Sequence, residues 1–312
     1  MDKEKILKAG KIASQAKDYA KTIVKPGVPL LEIAEKIEGE IIKHGGKPAF
    51  PVNLSINNIA AHYTPSHDDK TLAYGLLKVD FGVHVDGWTA DNTFSVDLEN
   101  SDENKKLIET SETALKKAIK LIEEKVVNKK GVGNSAIKSS ALLGDVTTDE
   151  IGAAIQGTIE SHGFSPIINL CGHSMKRYEL HGGITIPNID DGRNVKLKEG
   201  LYAIEPFATP GSGKVRDGRP SGIYELTSEK NPRSPLAREV LEFIKKEYNT
   251  LPFCSRWIVK ALGTRALFGL RELEANGNLH HFNQLIEISG AKVSQAEHTI
   301  LVEKDKVTVT TE

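Results

Sequence analysis

The sequence predicts an α+β protein with a duplicated body, from three features. Two amphipathic helical patterns open the chain, an alternating hairpin follows them at 76–97, and a second round of helices precedes further strands. At 312 residues the chain suits about two domains or one large one. Ile6, Ala9, Ala13, Ala16, Ala20 and Ile23 recur at three-four spacing over residues 2–23, and Pro26-Gly27 stops that helix. Leu30, Ala34, Ile37 and Ile41 mark the next, ended by Gly45-Gly46. Val79, Phe81, Val83 and Val85 then alternate with Asp80, Gly82, His84 and Asp86, and Asp86-Gly87 is a favoured two-residue turn into a returning strand from Trp88 to Val96.

A third helix is predicted over about 103–125 with Ser101 as its N-cap. A fourth opens at the capping box Thr147-Thr148-Asp149-Glu150 and closes at Gly163. Pro166–Leu170, Leu201–Phe207 and Glu297–Val302 follow as predicted strands. From about 222 to 282 the chain turns helical again, with Ser234-Pro235 as N-cap and first residue and Thr264 opening a helix that Gly277 closes. This stretch is expected as an insertion in a body formed by 1–221 and 283–312.

Lys and Arg number 41 against 42 Asp and Glu, a net charge of −1, so there is no global basic field for nucleic acid or anionic lipid. No apolar run approaches the roughly 18–20 residues of a membrane span. The charged start Met1-Asp2-Lys3-Glu4-Lys5 lacks the apolar core of a signal peptide. Two cysteines, Cys171 and Cys254, are too few for a disulfide framework or a thiolate metal site. A cytoplasmic globular protein with reduced thiols is the expectation.

The chemistry begins with Asp80 and Asp91. If Asp86 and Gly87 are the turn, Gly82 faces Asp91 and residue 93 faces Asp80, making the two acids diagonal neighbours on one face. With no Lys or Arg between them they repel, which raises a pKa or calls for a cation. The competing account is two solvated acids on an exposed hairpin face. His173 follows Asn169-Leu170-Cys171-Gly172, where the glycine would let a strand turn tightly, and His181 comes shortly after. Glu205 interrupts an apolar strand and Glu297 precedes another, and each needs a cation or hydrogen-bond donors. Taken singly, each could be a salt-bridged core acid.

Together, Asp80, Asp91, His173, Glu205 and Glu297 resemble the five dinuclear metal ligands of the methionine aminopeptidases, most closely the type II branch in its short form. Ala61-His62-Tyr63-Thr64-Pro65, Asn169-Leu170-Cys171-Gly172-His173 with His181, Tyr202-Ala203-Ile204-Glu205 and Glu297-His298-Thr299-Ile300-Leu301 carry the same resemblance, as does the helical insertion. It implies a pita-bread fold with pseudo-two-fold symmetry and a winged-helix-like insertion. It also implies an enzyme that removes the initiator methionine of nascent polypeptides before a small second residue. Four carboxylates and one imidazole suit two ions of Mn²⁺, Fe²⁺, Co²⁺ or Zn²⁺ without choosing among them. Such a pair sits about 3.5–4 Å apart and activates a water near neutral pH.

By the same resemblance Asp91 and Glu297 bridge both ions, Asp80 chelates one, and His173 and Glu205 hold the other, with Glu205 shuttling the proton. His62 and His181 hydrogen-bond the scissile amide and its oxyanion, and His62 is the nucleophile toward the epoxide inhibitors of type II enzymes. Phe50, Leu180, Ile223 and Phe282 line the methionine pocket, Phe282 standing where eukaryotic relatives carry Tyr. The ribosome joins the expected partners and the protein is expected as a monomer. The insertion's Arg256, Lys260, Arg265 and Arg271 lie among acids, which argues against nucleic acid.

Two other readings stay open at this stage. Xaa-Pro peptidases share the ligand types, but usually carry an extra N-terminal domain, whereas only residues 1–75 precede the Asp80 strand here. Non-catalytic relatives that bind protein or RNA have broken ligand sets, and this one is intact.

Overall fold

A computed structural model describes residues 1–127 and 146–312. Helix α1 (Lys3–Ile23) starts where Asp2 accepts the Lys5 N–H, and α2 (Leu30–Lys43) follows after Gly27. Both lay their apolar stripes on one face of the hairpin Leu76–Val85/Trp88–Asp97, where Val79, Phe81 and Val83 meet Ala13, Ile33 and Ile37. The second half repeats the plan. Helices α3 (Asp102–Val127) and α4 (Thr148–Ser161) cover a sheet containing Cys171–Met175, Gly200–Ile204 and His298–Glu303, with Ile119, Ile155, Tyr202 and Ile300 in its core. The Thr147–Glu150 capping box is formed as expected. This arrangement is the pita-bread fold. Among the described residues no helix is long and apolar enough to cross a membrane.

A third sheet joins Val215–Leu226 to Leu279–Glu287, with Phe253–Cys254 and Ile59–Ala61 on its flanks. Between its two long strands run α5 (Pro235–Glu247), α6 (Ser255–Leu262) and α7 (Ala266–Ala275) around a core of their own. Ser234 caps α5 as its sequence suggests. Thr264 does not cap α7. The chain leaves α6 through Gly263 at φ +78, makes one turn, and enters α7 at Arg265 without a side-chain cap.

Arg256 belongs to this packing. It is 2% exposed, makes a two-pronged pair with Glu38 of α2 at 2.7 and 2.8 Å, and donates to the Pro65 carbonyl at 3.0 Å. Glu38 also accepts from Trp257 Nε1 and the Val52 N–H, so every strong group is satisfied. The residue is therefore a tie between α2 and α6, not part of a basic surface.

His84, on the Asp80 face but nearer the turn, is 7% exposed, and its Nδ1 accepts the Gly87 N–H at 3.0 Å. Burial pushes its imidazole down from 6.5 to about 4. Between those values the unfolded chain binds more protons than the folded one. This contribution is complete above 6.5 and fades as pH falls through the window, by up to about 3 kcal/mol. Unfolding in denaturant should therefore show the natural protein losing more stability between pH 7 and 4.5 than His84→Asn, whose amide oxygen can still accept from Gly87. Parallel pH profiles would contradict this role.

Candidate metal centre and substrate cavity

The hairpin register brings two acids together. Gly82 pairs with Asp91 and Asp80 with Thr93, so Asp80 and Asp91 share a face diagonally. They are not the solvated pair of the competing account, since Asp91 is 4% exposed. Lys78, the hairpin's own cation, is buried and donates to the Asn57 carbonyl at 2.7 Å.

The second half of the fold supplies the other donors across a laced seam. The Asp91 N–H donates to Thr299 Oγ1 at 2.7 Å, that hydroxyl donates back to the Asp91 carbonyl at 2.8 Å, and the Glu297 N–H donates to the Thr93 carbonyl at 3.0 Å. Glu297 thus stands at the entry of the His298–Glu303 strand, facing the hairpin.

His173 is placed differently from expectation. The strand expected over Pro166–Leu170 is instead the two-residue Ser165–Pro166, paired with Ala208 and Thr209. Beyond it Ile167 and Ile168 donate singly to Phe207 and Gly213, and Asn169 ties the chain to both backbone groups of Val215 at 2.8 and 2.9 Å. The ladder begins at Cys171, with His173 inside it opposite Ala203 and Thr185. Gly172 is there for close approach and not for a turn, because a Cβ would lie 2.3 Å from the Ala203 carbonyl oxygen. Glu205 likewise sits just beyond its strand, Gly200–Ile204, and not within it.

These displacements still converge. His173 Nε2 is 3.7 Å from both Asp91 Oδ2 and Glu205 Oε1. One donor atom each from Asp91, His173 and Glu297 lie within 4.8 Å of one another. Thr93 donates to Glu297 Oε2 at 2.6 Å, and Gln295 Nε2 donates to Glu205 Oε2 at 3.1 Å. Asp80 Oδ1, Glu297 Oε1 and His173 Nδ1 are buried without partners.

Burial pushes the Asp80 carboxyl up to about 7, and burial followed by repulsion from Asp80 holds Asp91 well above the usual carboxylate range. Glu205 and Glu297 are raised for the same reasons, burial first and their acidic neighbours next. Burial takes the His173 imidazole down to about 3, leaving it neutral with a lone pair to donate. Carboxylate oxygens and a neutral imidazole with unmet acceptors fit hard to borderline divalent cations.

A cavity of about 320 Å³ opens onto these donors, and all five of them line it. His62, His181, Phe50, Leu180, Ile223 and Phe282 line it too. His62 leaves the Ile59–Ala61 strand with φ +64, a strained conformation for a residue with a side chain. Its Nδ1 donates to the Asn283 carbonyl at 3.1 Å, and burial pushes the ring down to about 4. The neutral ring therefore keeps a bare Nε2. His181 packs its ring edge-on to His173, centroids 4.6 Å apart, and burial lowers its pKa as well. Phe50 packs over Gly82, where a Cβ would come within 2.5 Å of its ring. Beside the site, burial raises the Cys171 thiol to about 11, which keeps it protonated and unreactive.

Sequence reading gave no role to Thr93, Gln295 or Thr299. The hairpin register does point to Thr93 as the residue opposite Asp80. Nothing local marks Gln295 or Thr299, whose partners are distant in the chain.

Fold and donor set together describe a metallohydrolase. The model of metallopeptidase family M24 matches residues 4–303. The chain is 46% identical over its whole length to the methionine aminopeptidase of Pyrococcus abyssi, covering all of that protein. It is 43% identical to the methionine aminopeptidase of Methanocaldococcus jannaschii, over 99% of this chain and 98% of that one. Among solved structures, a thermophilic Arx1 superposes with a TM-score of 0.79 at 17% identity, over 98% of this chain and 90% of that one. The Thermotoga maritima methionine aminopeptidase gives 0.65 at 21%, over 99% and 96%, and the Pyrococcus furiosus prolidase 0.57 at 17%, over 99% and 63%. The chain belongs to metallopeptidase family M24, and within it to the methionine aminopeptidases.

Proposed function

We propose that the protein removes the N-terminal methionine from nascent polypeptides whose second residue is small, using a pair of divalent cations. The observation that carries this reading is one cavity lined by five metal donors, two neutral imidazoles and an apolar wall. Asp91 and Glu297 would hold both ions, Asp80 one, and His173 with Glu205 the other. When bound, the ions lower the pKa of a water and polarise the scissile carbonyl.

The chain's own groups do the rest. Glu205 takes the proton of the attacking water and delivers it to the leaving amine, its Oε2 steadied by Gln295. His62 Nε2 accepts from the scissile amide N–H, because its other nitrogen is already committed as a donor to Asn283. His181 donates to the carbonyl oxygen as charge develops there, so His181→Ala should lower kcat about 100- to 1000-fold with little change in KM. Phe50, Leu180, Ile223 and Phe282 give the flexible thioether a dry seat. A cytoplasmic monomer meeting its substrate near the ribosome fits this role.

The prolidase alternative rests on a shared fold at 17% identity, against 46% for the Pyrococcus abyssi relative. A peptide panel tests the reading. Met-Ala-Ser and Met-Gly-Ser should be cleaved, while Met-Arg-Ser, acetylated Met-Ala-Ser and an Xaa-Pro dipeptide should not. Preference for the Xaa-Pro dipeptide, or indifference to the first residue, would contradict it.

A further inference from the structure

Asn53 opens the strand Asn53–Ile56, directly opposite Asp80 on the neighbouring strand, and both residues line the cavity. It is 3% exposed. Its Nδ2 donates to the Pro51 carbonyl at 2.9 Å, which fixes Oδ1 as the free end. That oxygen is buried and has no hydrogen-bond partner, and the same is true of Asp80 Oδ1 across the ladder.

Side chains directly opposite in an antiparallel pair start about 4.5–5.5 Å apart at Cβ, so one small donor group can reach both oxygens. Leaving a buried amide oxygen unmet costs free energy that a bound group can recover. The donor must carry an N–H for Asn53 Oδ1, and facing the Asp80 carboxylate it should be positive. An amino group at a peptide's N-terminus meets both conditions. The segment that carries Asn53 also carries Phe50, so one short stretch would hold both the side chain and the amine of the first residue.

We propose that Asn53 is an anchor for the free α-amino group of the substrate, its Oδ1 accepting one N–H while Asp80 faces the same nitrogen. This deepens, and rests on, the aminopeptidase reading, because it assigns the recognition of a free N-terminus to a neutral side chain in addition to the acids.

Calorimetry on Mn²⁺-loaded protein provides the test, with L-methionine and its desamino analogue as ligands. The natural protein should favour methionine. Asn53→Ala should bind methionine about 10- to 100-fold more weakly, with the analogue's affinity and the Mn²⁺ affinity unchanged. Asn53→Asp, which keeps an acceptor in place, should retain most of the preference, as a merely structural role would not require. Equal losses for both ligands, or unchanged methionine binding in Asn53→Ala, would overturn the proposal while leaving the aminopeptidase reading intact. A fall in Mn²⁺ affinity would overturn it too, making Asn53 a metal ligand. If the natural protein showed no preference for methionine over the analogue, the proposal and the reading beneath it would both fail.

Discussion

Glu297→Gln should reduce methionine release at least about 1000-fold while leaving the protein folded. Glu297 is 2% exposed, within reach of Asp91 and His173, and accepts from Thr93 Oγ1 at 2.6 Å. A neutral amide of the same shape can still accept from Thr93, but it contributes no charge to a cation pair. The stability of the metal-free protein should move the other way. Glu297 is raised by burial, then by Asp91, Glu205 and Asp80, so removing its charge relieves repulsion. Calorimetric Mn²⁺ titration, thermal melts and turnover on one sample separate the two effects.

The same carboxylates set a pH signature. Asp80 is raised from 3.8 to about 7, so between those values the folded protein holds more protons than the unfolded chain. The stability they contribute is present at the low end of that window and lost as pH rises through it. Metal-free protein should therefore show a contribution that falls between pH 4 and 7, and a divalent cation should abolish that fall. Weaker pH dependence in metal-free Glu297→Gln would agree with this. A metal-free Glu297→Gln less stable than the parent at pH 8 would contradict it.

The second large effect concerns stability alone. Arg256→Ala should destabilise the protein by about 3–5 kcal/mol, because it strands the Glu38 carboxylate beneath α6 without its two-pronged partner. The single change also frees the Pro65 carbonyl and opens a void. Pairing it with Glu38→Leu should recover part of the loss, since no unpaired charge is then left buried, while the cost of the void remains. Additive losses in that double-mutant cycle would mean the two side chains act independently, against the geometry.

How much could be read in advance follows from where the information lies. The Asp80/Asp91 pairing is local: Asp-Gly fixes the turn, alternation fixes the faces, and together they set the register that was found. The Thr147–Glu150 cap is local too. Over Pro166–Leu170 the apolar pattern outruns the ladder, which stops at Pro166; past it the chain is held by single bonds from Ile167 and Ile168 and by the Asn169 side chain on Val215. Arg256 looked like surface charge because its partner, Glu38, lies in a helix far away in sequence. Gln295 and Asn53 gave no signal of their own, since an amide reveals its role only when its partners are known.

The most direct measurement is methionine release from Met-Ala-Ser by chelated protein before and after Mn²⁺ or Co²⁺ is restored. Without metal no release is expected, and activity should recover as divalent cation is added, with Asp91→Asn and His173→Ala failing to recover. Release that persists after chelation, or none with any divalent cation, would contradict that expectation.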